Sequence, residues 1–235
     1  MSNLAIIPAR GGSKRIPKKN IKLFLGKPII AYSIEAAINS GLFDEVMVST
    51  DNSEIAEIAK LYGATVPFMR SDENSDDFAT TIDVIEEVLS EYSNLDKEFN
   101  NTCCIYPTAP FIDDQKLVKA YKHLIDNDFD CVFPVLKYGF PIQRSLRKDE
   151  KNGEVLMFYP ENLNARSQDL EPAFHDSGQF YFFNTKVILK EKRLWTNNTG
   201  AIEISELEGQ DIDNEVDWKL AEIKYKIINE KKNSF

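Results

Sequence analysis

The chain has 235 residues, 43% of them hydrophobic, with 38 acids against 28 bases and a formal net charge of −10. That length suits one α/β domain with room for a small excursion, and the apolar fraction can support a real core. The acidic balance excludes nucleic acid as a main partner, and no apolar run approaches membrane length.

The charge is unevenly spread. Residues 1–34 hold seven cations (Arg10, Lys14, Arg15, Lys18, Lys19, Lys22 and Lys27) and no acid, so the rest of the chain carries 21 bases against 38 acids. Leu4 to Ile7 is apolar on both faces, as a buried parallel strand should be, and Pro8 ends it. Gly11 and Gly12 then allow backbone N–H groups close to a ligand. Arg10, Lys14 and Arg15 put charge beside them, the arginines able to grip phosphate oxygens two at a time. Neither G-x-x-x-x-G-K-[ST] nor G-x-G-x-x-G is present. A phosphate-binding loop of another type fits, and a solvated basic loop is the bland alternative. Lys27-Pro28 leads into a helical pattern at Ile29, Ile30, Ile34, Ala37 and Ile38. The basic loop therefore joins a first strand to a first helix, where open α/β sheets bind ligands.

Further along, Glu45 to Thr50 predicts a second strand, and Ile55, Ile58, Ala59 and Tyr62 a helix that Asp51 is placed to cap. Ala64 to Phe68 predicts a short third strand. Arg70 follows it, positioned to neutralise an acidic loop from Ser71 to Asp77, and a helix occupies 82–89. Asn101 to Tyr106 is an apolar strand with a Pro107-Thr108 turn after it. A helix runs past Leu117 and Ile125, and a strand covers Asp130 to Leu136. From Lys137 to Pro172 the periodicity loosens, apart from the strand-like Val155 to Tyr159. Gly178, ahead of an aromatic strand, suggests a close backbone approach. Cys103, Cys104 and Cys131 form no C-x-x-C pair and read as small buried apolar residues in a reducing compartment. The N-terminus lacks the features of a signal peptide, so a cytoplasmic location is expected.

Near the end, Asp211 and Asp213 stand two apart. In an extended segment both carboxylates point the same way. With triphosphate oxygens and waters they suit Mg²⁺. Asp213 or Asn214 can instead cap the helix from Val216 to Ile228.

The stretch Ile7 to Asn20 resembles the opening signature I-P-A-R-G-G-S-K-x-[IL]-x-x-K-N of the CMP-sialic acid synthetase family of cytidylyltransferases. The S-T-D ending at Asp51, the P-T-A-P turn from Pro107, A-R-S-Q-D around Arg166 and the late D-I-D-N-E-V-D segment are similar to that family too. Tyr106 departs from it, since many members carry glutamine there. The form H-D-S-G-Q-F-Y ending at Tyr181, with P-I-Q-R ending at Arg144, looks most like the pseudaminic acid cytidylyltransferases.

This resemblance implies a doubly wound, mostly parallel α/β sheet of about seven strands. It implies one nucleotidyltransferase domain over 1–235, with 137–175 as an excursion that reaches a partner subunit in a homodimer. The implied reaction transfers CMP from CTP to a nine-carbon sialic-acid-like sugar acid, most closely pseudaminic acid, with loss of pyrophosphate. N-acetylneuraminate and legionaminate are alternative acceptors. A D-x-D glycosyltransferase and a non-catalytic nucleotide-binding module are alternatives of other classes. Carried over by position, Arg10, Gly11, Gly12, Ser13, Lys14, Lys19, Asn20, Arg70, Thr80, Pro107 and Thr108 bind the nucleotide. Arg166, Gln168, Gln179 and Tyr181 bind the sugar acid, and Asp211 and Asp213 bind Mg²⁺. Arg10, Lys19 and Asp211 carry the catalysis, with Asp211 the candidate base.

Overall fold

A computed structural model of the chain describes residues 1–232. Strand β1 (Asn3–Pro8) is an interior strand of the main sheet, and Leu4 to Ile7 have no exposed surface on either face. Ala5 and Ile7 face one core and Leu4 and Ile6 the other. That two-sided burial is what a parallel strand between two helical layers requires.

The other elements follow in chain order. Strands β2 (Leu23–Phe24) and β3 (Lys27–Pro28) form a small hairpin. Leu25 and Gly26 between them both have positive φ, 49° and 90°, as a two-residue hairpin turn of the right twist demands. Helix α1 (Ile29–Asn39), strand β4 (Glu45–Ser49) and helices α2 (Ser53–Leu61) and α3 (Thr81–Asn94) come next. Then follow β5 (Asn101–Ile105), α4 (Asp114–Asp126) and β6 (Cys131–Lys137). The pair β7 (Leu146–Lys148) and β8 (Val155–Met157) stands apart as its own two-stranded sheet. Strands β9 (Phe174–Asp176) and β10 (Phe180–Asn184), helix α5 (Thr185–Glu191), strand β11 (Thr199–Glu203) and helix α6 (Glu215–Lys232) complete the chain.

The main sheet has seven strands in the order β11-β6-β10-β5-β1-β4, with β9 also paired to β6. Five strands share one direction; β9 and β10 are antiparallel to their neighbours. Helices α1, α2 and α4 pack on one face, through residues such as Ile34, Ile55 and Leu117. Helices α3 and α5 pack on the other, through Ile85, Leu89, Tyr92 and Ile188. The doubly wound sheet of seven strands expected from the sequence is therefore present, with two members exchanged.

Ala64 to Phe68 is not a strand. It contributes a single bridge, Met47 to Thr65, because Pro67 has no N–H to extend the ladder. Val155 to Tyr159 supplies only the three residues of β8, outside the main sheet. In their place the sheet takes β9 and β11. The three cysteines are buried and free. Among the described residues, no helix is long and apolar enough to cross a membrane.

A third, smaller core joins the two ends of the chain. Ile16 of the basic loop and Phe24 of the first hairpin pack with Ile29, Phe111, Ile212, Trp218 and Ala221. Phe24 meets the Trp218 and Tyr225 rings edge-on at 5.7 and 5.6 Å. Burying an isoleucine of this kind contributes about 1.5–3 kcal/mol. Ile212, 1% exposed, thereby anchors the segment that carries Asp211 and Asp213 beside the basic loop.

Candidate active site

The loop after β1 and the turn after β5 both open at the C-terminal ends of parallel strands, and α3 begins beside them. Together they wall a cavity of about 490 Å³. Its lining includes Arg10, Ser13, Lys14, Arg15, Lys19, Asn20, Arg70, Thr80, Pro107 and Thr108. Nine of the eleven residues expected to bind nucleotide thus share one cavity; Gly11 and Gly12 lie in the loop that forms its wall.

The two glycines differ in purpose. A Cβ on Gly11 would lie 2.9 Å from the Asn52 side-chain nitrogen, so the close approach here is to the protein itself. The Gly11 amide donates to Asp51 Oδ1 at 2.7 Å. Gly12 has open space where its Cβ would be. Asp51 is therefore not the cap of α2. Asn52 is, its Oδ1 accepting from the amides of Glu54 and Ile55, and Asp51 fastens the basic loop. Asn20 closes the same loop from within, its Nδ2 donating to the Arg10 carbonyl at 2.9 Å.

Arg70 is 7% exposed and does not pair with the acidic loop that follows it. Its Nε donates to Ser49 Oγ at 2.9 Å and its Nη2 to the Ser49 carbonyl at 2.6 Å, which aims the guanidinium from the end of β4 into the cavity. Burial lowers its pKa from the usual arginine value, against the pull of Asp51 and Glu87. The Thr80 hydroxyl is committed to a capping box with Asp83 at the start of α3. Thr81 is the freer hydroxyl, lying 3.2 Å from the Tyr106 hydroxyl on the cavity wall.

Lys19 links this cavity to the end of the chain. Its Nζ donates to the Ile212 carbonyl at 2.7 Å. Burial holds its pKa below the ordinary lysine value, with Asp213 and Asp211 pulling the other way. Asp213 pairs with Arg15 at 2.7 Å, and Glu215 with Lys22, whose Nζ lies 4.7 Å from the Trp218 ring centroid. Helix α6 is entered through Asn214, whose Oδ1 accepts from the amides of Val216 and Asp217. Capping by Asn214 leaves Asp213 available to the basic loop.

Asp211 lines a second cavity of about 560 Å³ with Lys137, His175, Asp176, Ser177, Gln210 and Lys224. Asp213 lines neither cavity, and its link to the first is the ion pair with Arg15. Gly178 takes a positive φ of 64° with open space at its Cβ position, so it serves a turn and not a close approach. Asp176 closes that turn, accepting from the Gly178 amide at 2.8 Å and from the Tyr181 hydroxyl. Gln179 donates to the Glu208 carbonyl at 2.6 Å. Gln179 Oε1 and Ser177 Oγ are buried without a hydrogen-bond partner among the described residues, and buried polar atoms are seldom left that way unless something is to meet them.

Gln179 and Tyr181 line neither cavity, and the other two sugar-acid candidates stand elsewhere. Arg166 is exposed on a turn of the 137–175 segment, its Nε paired with Asp169 at 2.6 Å, and Gln168 is on the same turn. Neither lines either of these two cavities. Sequence reading missed the cavity residues Asn74, Asp76 and Asp77, because an acidic stretch without apolar residues reads as solvated loop. It also missed Lys224, which no motif marks, and Asp176, which lies within the H-D-S-G-Q-F-Y form but carries no role in that reading.

Among the described residues, no three His, Cys, Asp or Glu side chains gather as a metal-ligand group. Two carboxylates with hard oxygens fit Mg²⁺, which is held by few protein ligands and keeps phosphate oxygens and waters as its others.

Residues 4–213 match the cytidylyltransferase family. The chain is 43% identical over 230 residues to the pseudaminic acid cytidylyltransferase of Campylobacter jejuni, covering 98% of this chain and 99% of that protein. It is 31% identical to the CMP-N,N'-diacetyllegionaminic acid synthase of Legionella pneumophila, covering 94% and 95%. The solved structure of a CMP:2-keto-3-deoxy-manno-octonic acid synthetase complexed with CTP has the same fold, with a TM-score of 0.71 at 16% identity over 98% of this chain and all of that one.

Proposed function

The chain belongs to the cytidylyltransferase family, and from that premise we propose that it transfers CMP from CTP to pseudaminic acid and releases pyrophosphate. One observation carries the reading: a single cavity gathers Arg10, Lys14, Lys19 and Arg70, and Arg15 on its wall pairs with Asp213. The near-full-length match to a pseudaminic acid cytidylyltransferase supports the choice of sugar.

On this reading the triphosphate lies against Arg10, Lys14 and Lys19, with Arg70 reaching in from β4. Fixed cations stabilise charge that builds on the transferring group, and such stabilisation is the main catalytic contribution in phosphoryl-type transfers. The sugar acid occupies the second cavity. Ser177 Oγ on its wall supplies a hydrogen-bonding partner, and Gln179 and Tyr181 lie behind that wall. Its anomeric hydroxyl attacks the α-phosphorus, and Asp211 accepts the hydroxyl proton. Mg²⁺ held by Asp211 and Asp213 would supply further positive charge to the phosphate oxygens.

The reading includes a homodimer in which residues 137–175 of this single domain form the dimerisation excursion. Arg166 and Gln168 reach the partner's sugar acid, the arginine neutralising its carboxylate. Exposed apolar side chains on that segment (Phe140, Leu146, Phe158 and Leu163) support it. A cytoplasmic location is supported by three free buried cysteines.

The test is pyrophosphate release from CTP and Mg²⁺ with pseudaminic, N-acetylneuraminic, legionaminic and deoxyoctulosonic acids offered separately. Release with pseudaminic acid alone is expected. Release with another acid instead keeps the chemistry and overturns the sugar. CTP binding without release from any of them favours a non-catalytic nucleotide-binding module.

A further inference from the structure

Arg10 and Lys14, two of the cations assigned above to the triphosphate, share one carboxylate. Arg10 Nη1 donates to Asp77 Oδ1 at 2.8 Å and to the Asp76 carbonyl at 2.7 Å. The Lys14 ammonium pairs with Asp77 Oδ2. All four residues line the first cavity.

Asp77 is presented there by a loop anchored at both ends. Before it, Ser71 donates to the Glu87 carboxylate through its amide at 2.7 Å and its hydroxyl at 3.1 Å, and Asn74 Nδ2 donates to the same group at 2.5 Å. After it, Asp76 Oδ1 accepts from the amides of Phe78 and Ala79 at 2.7 and 2.8 Å, and Thr80 caps α3. Hydrogen bonds from Lys14 and Arg10 keep the Asp77 carboxyl below its usual range, hence ionised. A carboxylate bridging an arginine and a lysine presents two anionic oxygens to the donors that would otherwise grip a phosphate.

We propose that Asp77 is an internal counter-anion that the CTP phosphates displace from Arg10 and Lys14, and that returns to those cations as pyrophosphate leaves. The inference rests on reading the first cavity as the CTP site. Asp77 is well suited to exchange, since its side chain is 45% exposed and both its cations are solvated. Every ligand that needs both cations binds more weakly by the fraction of molecules in which they are free. Two exposed ion pairs to one acid correspond to about three- to tenfold in affinity. No covalent step is involved.

A purely tethering role predicts the opposite sign, because loosening the 71–80 loop would weaken the nucleotide site. The experiment is calorimetric titration of wild type, D77N, D77A and D77E with CTP and with pyrophosphate. D77N and D77A are expected to bind both about three- to tenfold more tightly, and D77E to match wild type. Unchanged or weaker binding by D77N and D77A overturns the proposal. Failure of wild type to bind CTP overturns the reading of the cavity instead. Thermal melts of the four proteins check that they are equally folded.

Discussion

The Asp51 carboxylate accepts a hydrogen bond from the Gly11 amide at 2.7 Å, so the first loop of the fold is held by the end of β4. Asn52 reinforces the arrangement by packing where a Gly11 side chain would go. Asp51→Ala removes the side chain that receives this amide. A charge-assisted hydrogen bond at an exposed site contributes on the order of 1 kcal/mol. CTP affinity is therefore expected to fall about fivefold, with the melting temperature almost unchanged and D51N milder. A titration in which D51A equals wild type would show that the loop holds its shape without Asp51. Gly11→Ala is expected to be worse, since its new methyl group must displace Asn52 and disturb the α2 cap as well.

Arg70 makes the opposite kind of contribution. It is buried, and its guanidinium donates twice to Ser49. Arg70→Ala removes two bonds and leaves a gap beside Ser49. A loss of about 2 kcal/mol in urea denaturation is expected, along with weaker CTP binding. Arg70→Lys keeps a charge but not the planar fork. It should recover part of the stability and little of the nucleotide affinity. Equal stability of R70A and wild type would contradict the packing role.

These cases show what could be read from the chain alone. The run Leu4 to Ile7 was legible because burial on both faces leaves a continuous apolar stretch, and the two helical layers because burial on one face leaves a periodic one. The basic loop was legible because seven cations without an acid are rare in an acidic chain. Strand β11 was not: Thr199-Gly-Ala-Ile-Glu is edge material with two exposed side chains, and Gly200 is there because Phe129 covers it. Asp51 and Asn52 are both capping residues by type, and only the backbone decides between them. Asp77 carries no motif; its role depends on a loop that brings it 67 residues back to Arg10.

Lys19 gives the site an alkaline limit with a definite sign. Burial lowers its pKa, so between that folded value and the ordinary lysine value the unfolded chain binds more protons than the folded one. Its ammonium thus disfavours folding at lower pH, and this penalty is relieved as pH rises through that window. Function runs the other way, because the neutral amine no longer attracts phosphate. The value of kcat/KM for CTP, which reports the free enzyme, is expected to decline at a lower pH than an ordinary lysine would give. Lys19→Arg should push that decline to higher pH. Superimposable profiles for K19R and wild type would remove Lys19 as the group responsible.

Asp211 and Asp213 separate by their neighbours. Asp211 lines the second cavity, whereas Asp213 is tied to Arg15. Asp211→Asn is expected to lower kcat by about 100-fold or more while CTP still binds. Asp213→Asn should raise the Mg²⁺ concentration needed for half-maximal rate and also free Arg15. Near-normal kcat in D211N would rule out this residue as base.

The excursion supplies the last test. Its hairpin β7–β8 is not part of the main sheet, and Leu146 and Phe158 are more than half exposed beside it. Apolar side chains in that number on one segment favour burial against another surface. The double variant L146E/F158E is expected to shift the protein from dimer to monomer in light scattering and to abolish transfer while leaving the thermal melt of the domain intact. If Arg166 acts across the interface, mixing an R166A protein with a D211N protein should restore activity in part. Each mixed dimer then holds one site with the intact Asp211 of one protomer and the intact Arg166 of the other. No recovery on mixing, with exchange of protomers verified, would assign Arg166 to its own chain or to no site at all.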